Sequence, residues 1–252
     1  GGPAIGYAEN SLETLQHAFA EGIPVMEIDV AETRDGVLFL MHDRTLGRTS
    51  TGQGAVADTD FKDIAMLNLK DINGDVTSQH PPKFTDVLLW ANQYGAILEI
   101  DRKETTSFRN LIAAIRAAHA ENNVIMITYN DDEAKQVAKL APELMMTAGI
   151  GGKDHEAEMI AGGIDPTRLI VWGGTEKPSY GKWKALNRKG IESAFGTLGR
   201  PETSLDGQFW ADGDASEYDD LAAEGLTMVA TDEPYRVTAA ISADDKAKGC
   251  LN

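Results

Sequence analysis

Short apolar runs rich in β-formers recur along the whole chain, and helical patterns fill the gaps between them. The runs are PVMEIDV (24–30), VLFLM (37–41), YGAILEID (94–101), NVIMIT (123–128), ELMMTA (143–148), RLIVW (168–172), GIESAF (190–195) and GLTMVAT (225–231). Between them the spacing of apolar residues predicts helices, among them 11–21, 107–121, 132–140 and 216–224. Strands alternating with helices over the full length imply a parallel sheet in an α/β fold. Most of the runs are continuously apolar rather than alternating, as expected where both faces of the sheet are covered. Asn10 or Ser11 is placed to cap the first helix.

With 252 residues, the chain has the size of one (β/α)8 TIM barrel. The 42% of hydrophobic residues is enough for a large core. We count seven barrel strands, taking 37–41 as an extension of the hairpin after the first, whereas a closed barrel needs eight. The chain runs from Gly1-Gly2-Pro3 directly into a helix, so the expectation is that a first strand lies upstream of Gly1. An open sheet is the alternative. A single domain over 1–252 is expected, with a loop-rich insertion at about 43–84 that is long enough to be functional. The stretch 196–214 is similarly polar.

The formal net charge is −17, a poor match for a nucleic-acid backbone or an anionic membrane surface. Cys250 is the one cysteine, which rules out an intrachain disulfide and a cysteine-based zinc site. No apolar run reaches membrane-spanning length, and no signal peptide is visible. The oligomeric state and the compartment stay open, a secreted or periplasmic site included, because an upstream segment would carry any signal.

Chemistry is concentrated at strand ends. Glu27 and Asp29 are two residues apart on a strand, so they share a face. In a barrel this end of the strand is where active sites are built. Two adjacent carboxylates repel unless a cation or proton separates them, and hard oxygen donors favour Mg²⁺ or Ca²⁺. The same residues also fit a solvated pair at a strand edge. Glu99, Asp101 and Lys103 share a face on another strand, where three charges inside a barrel would be costly unless paired or bound to a metal. His42 follows an apolar strand and has a side chain suited to proton transfer near neutrality. His17, His80, His119 and His155 lie in helical or loop contexts and are read as surface or packing residues. Neither a glycine-rich nucleotide loop nor a G-x-S-x-G elbow is present.

These residues resemble the glycerophosphodiester phosphodiesterase family. The likeness starts at Gly1-Gly2 and Ala8-Glu9-Asn10-Ser11, similar to the family's "HRG … PENT". It continues through Glu27-Ile28-Asp29-Val30, Thr33-Arg34-Asp35-Gly36 and Met41-His42-Asp43-Arg44-Thr45-Leu46, then Arg48-Thr49 to Gly54. It closes on Thr231-Asp232-Glu233-Pro234, similar to the family's "TDxP". The resemblance implies Glu27 and Asp29 as metal ligands and His42 as one of two catalytic histidines. Asp101 would be the third ligand, in an Asp-x-Lys spacing with Lys103 that spider sphingomyelinases D share. The rival register makes Glu99 the ligand. Tyr129 and Phe195, at later strand ends, would line the substrate pocket or else pack at the rim. The implied reaction uses Mg²⁺ or Ca²⁺ to hydrolyse a small-molecule glycerophosphodiester to glycerol 3-phosphate and an alcohol. The alternatives are a lysophospholipase D-like activity, or a metal- and phosphate-binding homologue with impaired catalysis. The sequence departs from the pattern at its start, because the family's first histidine and its neighbouring arginine precede the glycine matching Gly1.

Overall fold

The computed structural model of the protein describes residues 4–241; Gly1, Gly2 and Cys250 lie outside the described residues. The chain divides into two compact units, residues 1–127 and 128–252.

In the first unit, α1 (Leu12–Ala20) begins at Ser11, whose hydroxyl accepts from the Thr14 N–H at 3.0 Å. This satisfies one of the N–H groups that a helix start leaves without a partner. Three strands carry the sheet: β1 (Val25–Glu32), β2 (Leu38–Leu40) and β3 (Ile97–Arg102), with β4 (Val124–Ile127) beside β3. β1, β3 and β4 are mutually parallel in that order, and β2 returns antiparallel to β1 as the hairpin arm. Along β1 and β3, Met26, Ile28, Val30, Leu98 and Ile100 are buried. The period-2 alternation sends Glu27, Asp29, Glu99 and Asp101 to the other face.

The long segment after β2 has small elements of its own. α2 (Phe61–Ile64) and isolated bridges such as Thr45↔Ala55 and Ser50↔Leu69 order it. It closes over its own apolar cluster, in which Leu46, Val56, Phe61 and Ile64 pack on Ala31, Phe39 and Met41. Gln79 ties its far end to the start of the chain. The Gln79 side-chain carbonyl accepts from the Ala8 N–H and the Ser11 hydroxyl, both at 2.9 Å, and its amide donates to the Gly6 carbonyl at 2.8 Å. The segment ends at α3 (Phe84–Tyr94), and Tyr94, expected in a strand, is the last residue of this helix. Gly95 adopts φ 74° there, the left-handed conformation that commonly stops a helix and favours glycine, so the strand starts only at Ile97. α4 (Phe108–Ala117) is capped by the Ser107 hydroxyl.

The second unit repeats strand and helix: α5 (Asp131–Leu140), β5 (Met145–Gly149), α6 (Lys153–Ala161), β6 (Leu169–Trp172), α7 (Lys182–Asn187) and β7 (Glu192–Gly196). α8 (Leu205–Phe209), inside the polar stretch 196–214, α9 (Glu217–Ala223), β8 (Met228–Ala230) and α10 (Pro234–Ala240) complete it. β5 to β8 pair in parallel in sequence order. The core on one side of β7 is aromatic: Trp183, Phe195, Phe209 and Tyr218 pack with Leu221, Leu226 and Val237. Among the described residues no helix is long and apolar enough to cross a membrane.

Candidate active site

The parallel register of β1 and β3 sets the site. Glu27 lies level with Glu99, and Asp29 with Asp101. Two tiers of facing carboxylates therefore stand on one face, the arrangement that cross-strand neighbours of like charge ordinarily avoid. One oxygen from each of Glu27, Asp29 and Asp101 lies within 4.8 Å of the others. Lys103, one step beyond Asp101 on the same face, puts its Nζ 2.5 Å from Asp29 Oδ1 and 2.6 Å from Asp101 Oδ2. Burial alone would push this ammonium's pKa down, but the bonds to Asp101 and Asp29 more than reverse that and hold it above the ordinary value.

The Lys103 ammonium does not by itself neutralise four carboxylates. Burial, followed by the charges of Asp29 and Asp101, raises the pKa of Glu27. Burial, then Glu27 and Asp101, pushes Glu99 up to about 7. A cluster of hard oxygens with surplus negative charge fits a divalent cation such as Mg²⁺ or Ca²⁺. Glu27, Asp29 and Asp101 could hold one; Glu99 faces Glu27 in the tier closer to the start of the strands.

Asn10 orients Asp29, a role that charges at strand ends do not reveal. Its amide nitrogen donates to Asp29 Oδ2 at 2.7 Å, and its amide oxygen accepts from the Asp29 N–H at 3.0 Å. Asn10 has φ 57°, a left-handed conformation that asparagine tolerates better than most residues. Ser11 takes the helix cap, which frees Asn10 for the site. The signal in the sequence was its place in the Glu9-Asn10 match to the family segment.

His42 follows β2 by two residues. The Met41 N–H donates to the Asp29 carbonyl at 3.0 Å, so the histidine leaves the strand beside the one that carries the acids. Its side chain is half-exposed, with Nδ1 2.8 Å from Asp43 Oδ1.

The two residues expected at later strand ends belong to the second unit and differ from each other. Tyr129 is 69% exposed and lines a cleft of about 450 Å³ with His155, Trp172 and Lys182. His155, expected to be a surface or packing residue, staples this cleft's wall: its Nδ1 accepts from the Gly151 N–H and its Nε2 donates to Asp131, both at 2.9 Å. Phe195 is 0% exposed and sits inside the aromatic core against Trp183, 5.7 Å between ring centroids. Its ring is a packing element with no surface to offer a ligand, which corrects the expectation that it lines a pocket.

Residues 2–147 match the model of the glycerophosphoryl diester phosphodiesterase family. The chain is similar to a glycerophosphodiester phosphodiesterase of Caldanaerobacter subterraneus, 28% identical over 149 residues, which are 57% of this chain and 61% of that protein. It is also similar to human glycerophosphodiester phosphodiesterase 1, 40% identical over 60 residues, 24% of this chain and 18% of the other. The chain thus spans about 60% of the length of the first curated relatives it matches. Among solved structures, a glycerophosphoryl diester phosphodiesterase from Parabacteroides distasonis superposes with a TM-score of 0.80 at 26% identity, over 96% of this chain and 84% of that one. A phosphodiesterase of Oleispira antarctica, solved with the product sn-glycerol-3-phosphate, superposes with a TM-score of 0.68 at 19% identity, over 95% of this chain and 93% of that one. The α/β fold expected from the strand–helix alternation is the TIM-barrel type of these neighbours. With more than half of its length inside the family match, the chain belongs to the glycerophosphoryl diester phosphodiesterase family.

Proposed function

We propose that this protein hydrolyses glycerophosphodiesters, releasing glycerol 3-phosphate and an alcohol. The observation that carries the reading is the convergence of Glu27, Asp29 and Asp101 with Lys103 on one face of two adjacent parallel strands. The family supports it, as does the product held by the Oleispira phosphodiesterase. Glu27, Asp29 and Asp101 would hold the Mg²⁺ or Ca²⁺, with Asn10 fixing the angle of Asp29. When bound, the cation supplies positive charge that polarises a phosphoryl oxygen. Lys103 supplies a second positive charge against the charge that builds on the phosphoryl oxygens in the transition state. His42 takes part in moving the proton that an ester oxygen must gain or an attacking hydroxyl must lose.

The test is the rate of glycerol 3-phosphate release from glycerophosphocholine with Mg²⁺ or Ca²⁺, and again after chelation. Release that depends on the cation is expected. Choline release from lysophosphatidylcholine in the same assay, with glycerophosphocholine untouched, would replace the reading with a lysophospholipase D-like one. A folded protein that turns over neither substrate with either cation would overturn it.

A further inference from the structure

A chain of ion pairs runs outward from His42 and ends at a residue far away in sequence. His42 Nδ1 lies 2.8 Å from Asp43 Oδ1. Asp43 in turn accepts from Arg48, Nε to Oδ2 at 2.7 Å and Nη2 to Oδ1 at 2.9 Å. The same guanidinium grips Glu9, Nη1 to Oε2 at 2.9 Å and Nη2 to Oε1 at 2.7 Å. Two bidentate contacts thus use four of the five N–H groups that an arginine owns. Asp43 and Glu9 are each mostly covered, while Arg48 and His42 stay half-exposed.

The geometry restricts the imidazole. Both oxygens of Asp43 already accept from Arg48, and the Arg48 hydrogen bonds, with His42 adding to them, hold its carboxyl down at about 2. An ionised carboxylate has no proton to give. The hydrogen bond to His42 therefore requires the proton to be on Nδ1, which leaves the Nε2 lone pair free to accept. A solvated histidine without such a partner favours the opposite tautomer, and which nitrogen carries the proton follows from the bond that the other atom makes. Lysine in place of Arg48 could not reproduce this, since a single ammonium cannot clamp two carboxylates side by side.

We propose that Arg48 and Glu9 are positioning residues: by clamping Asp43 they hold His42 in the Nδ1–H tautomer, with Nε2 presented for proton transfer. Arg48 and Glu9 touch no reacting group and act through His42. This rests on the reading of His42 as the proton-transfer group, so the test separates the two.

The first measurement is nitrogen NMR of the ¹⁵N-labelled protein, with the His42 signals assigned by their loss in His42→Gln. The wild-type neutral imidazole is expected to carry its proton on Nδ1, and Arg48→Lys and Glu9→Gln should both shift it towards Nε2–H. A wild-type His42 with its proton on Nε2 would overturn the proposal, as would an Nδ1–H population unchanged in both variants. The second measurement is turnover of glycerophosphocholine. Arg48→Lys should lower kcat by about 10- to 100-fold with KM within about twofold, the range for partners that orient a site group. In a His42→Ala background the same substitution should change kcat no further. A loss of equal size in that background would mean that Arg48 acts elsewhere, and would also overturn the proposal. Wild-type turnover in His42→Ala would instead refute the catalytic reading of His42, while the NMR result still decides the tautomer.

Discussion

Each unit of this chain buries carboxylates, and the two units satisfy them in opposite ways. In the second unit Asp206 is 3% exposed and has three donors around it: the Tyr218 hydroxyl at 2.5 Å, the Thr231 hydroxyl at 2.8 Å and the Asp232 N–H at 3.0 Å. All three are neutral. In the first unit Glu27, Asp29, Glu99 and Asp101 share one face, with the Lys103 ammonium between Asp29 and Asp101. Burial and like charge push Glu27 and Glu99 upward, whereas near Asp206 it is the phenol of Tyr218 whose ionisation is suppressed, by burial and then by the acid. A buried carboxylate with its lone pairs filled by neutral donors is a staple. A group of them short of positive charge could serve as a socket for a cation.

The largest effect should follow from emptying that socket. Asp29→Asn keeps the shape and removes one charge, and turnover of glycerophosphocholine should fall by about 10³-fold. The estimate follows from a cation contributing several kcal/mol to the transition state, at about 1.4 kcal/mol per factor of ten. A variant with near wild-type kcat would show that the cluster is no socket.

The staple should respond in the reverse sense. Asp206→Ala leaves the Tyr218, Thr231 and Asp232 donors without their acceptor, a loss of about 3 kcal/mol in urea unfolding. Binding of Mg²⁺ or Ca²⁺ by calorimetry should be unchanged. A variant as stable as wild type would show that Asp206 is no staple.

The two clusters were not equally legible in the sequence. The socket was, because two acids at a spacing of two on an apolar run are an expensive pattern, and so was the strand order, since each run between helices became a strand. Asp206 was not, as a lone acid in a polar stretch looks like any solvated one until the fold brings Tyr218 and Thr231 to it. Phe195 misled for a related reason. Its place at a strand end is visible in the sequence, but the Trp183 and Phe209 rings that enclose it arrive from helices far along the chain. Asn10 and Ser11 were both candidates for the helix cap, and the Ser11–Thr14 bond decides for Ser11.

A third test concerns the deeper tier. In the folded chain Glu99 keeps its proton up to about 7, against an ordinary value of 4.5. Between those values the folded state binds more protons than the unfolded one. Its contribution is thus fully present below the lower value and is lost as pH rises through the upper one. In a chelator, wild-type unfolding free energy should fall between about pH 4.5 and pH 7, and Glu99→Gln should flatten that fall by about 2 kcal/mol, less than the full shift because the site relaxes. Parallel curves would mean that Glu99 is not short of positive charge.

The smallest effect should come from Asn10, where the socket borrows the staple's method of neutral donors. The amide holds both the carboxylate and the backbone N–H of Asp29, so it fixes the side-chain angle without adding charge. Loss of such a supporting contact costs about 10-fold or more in metal affinity. The left-handed φ of 57° complicates a simple alanine substitution, which adds backbone strain to the loss of the amide. Glycine separates the two, because it accepts that conformation freely. Asn10→Gly and Asn10→Ala should weaken Mg²⁺ or Ca²⁺ binding to a similar degree, with only Asn10→Ala also lowering the melting temperature. If Asn10→Gly binds the cation as tightly as wild type, Asp29 needs no clamp, and the turn rather than the amide is what the socket requires of this position.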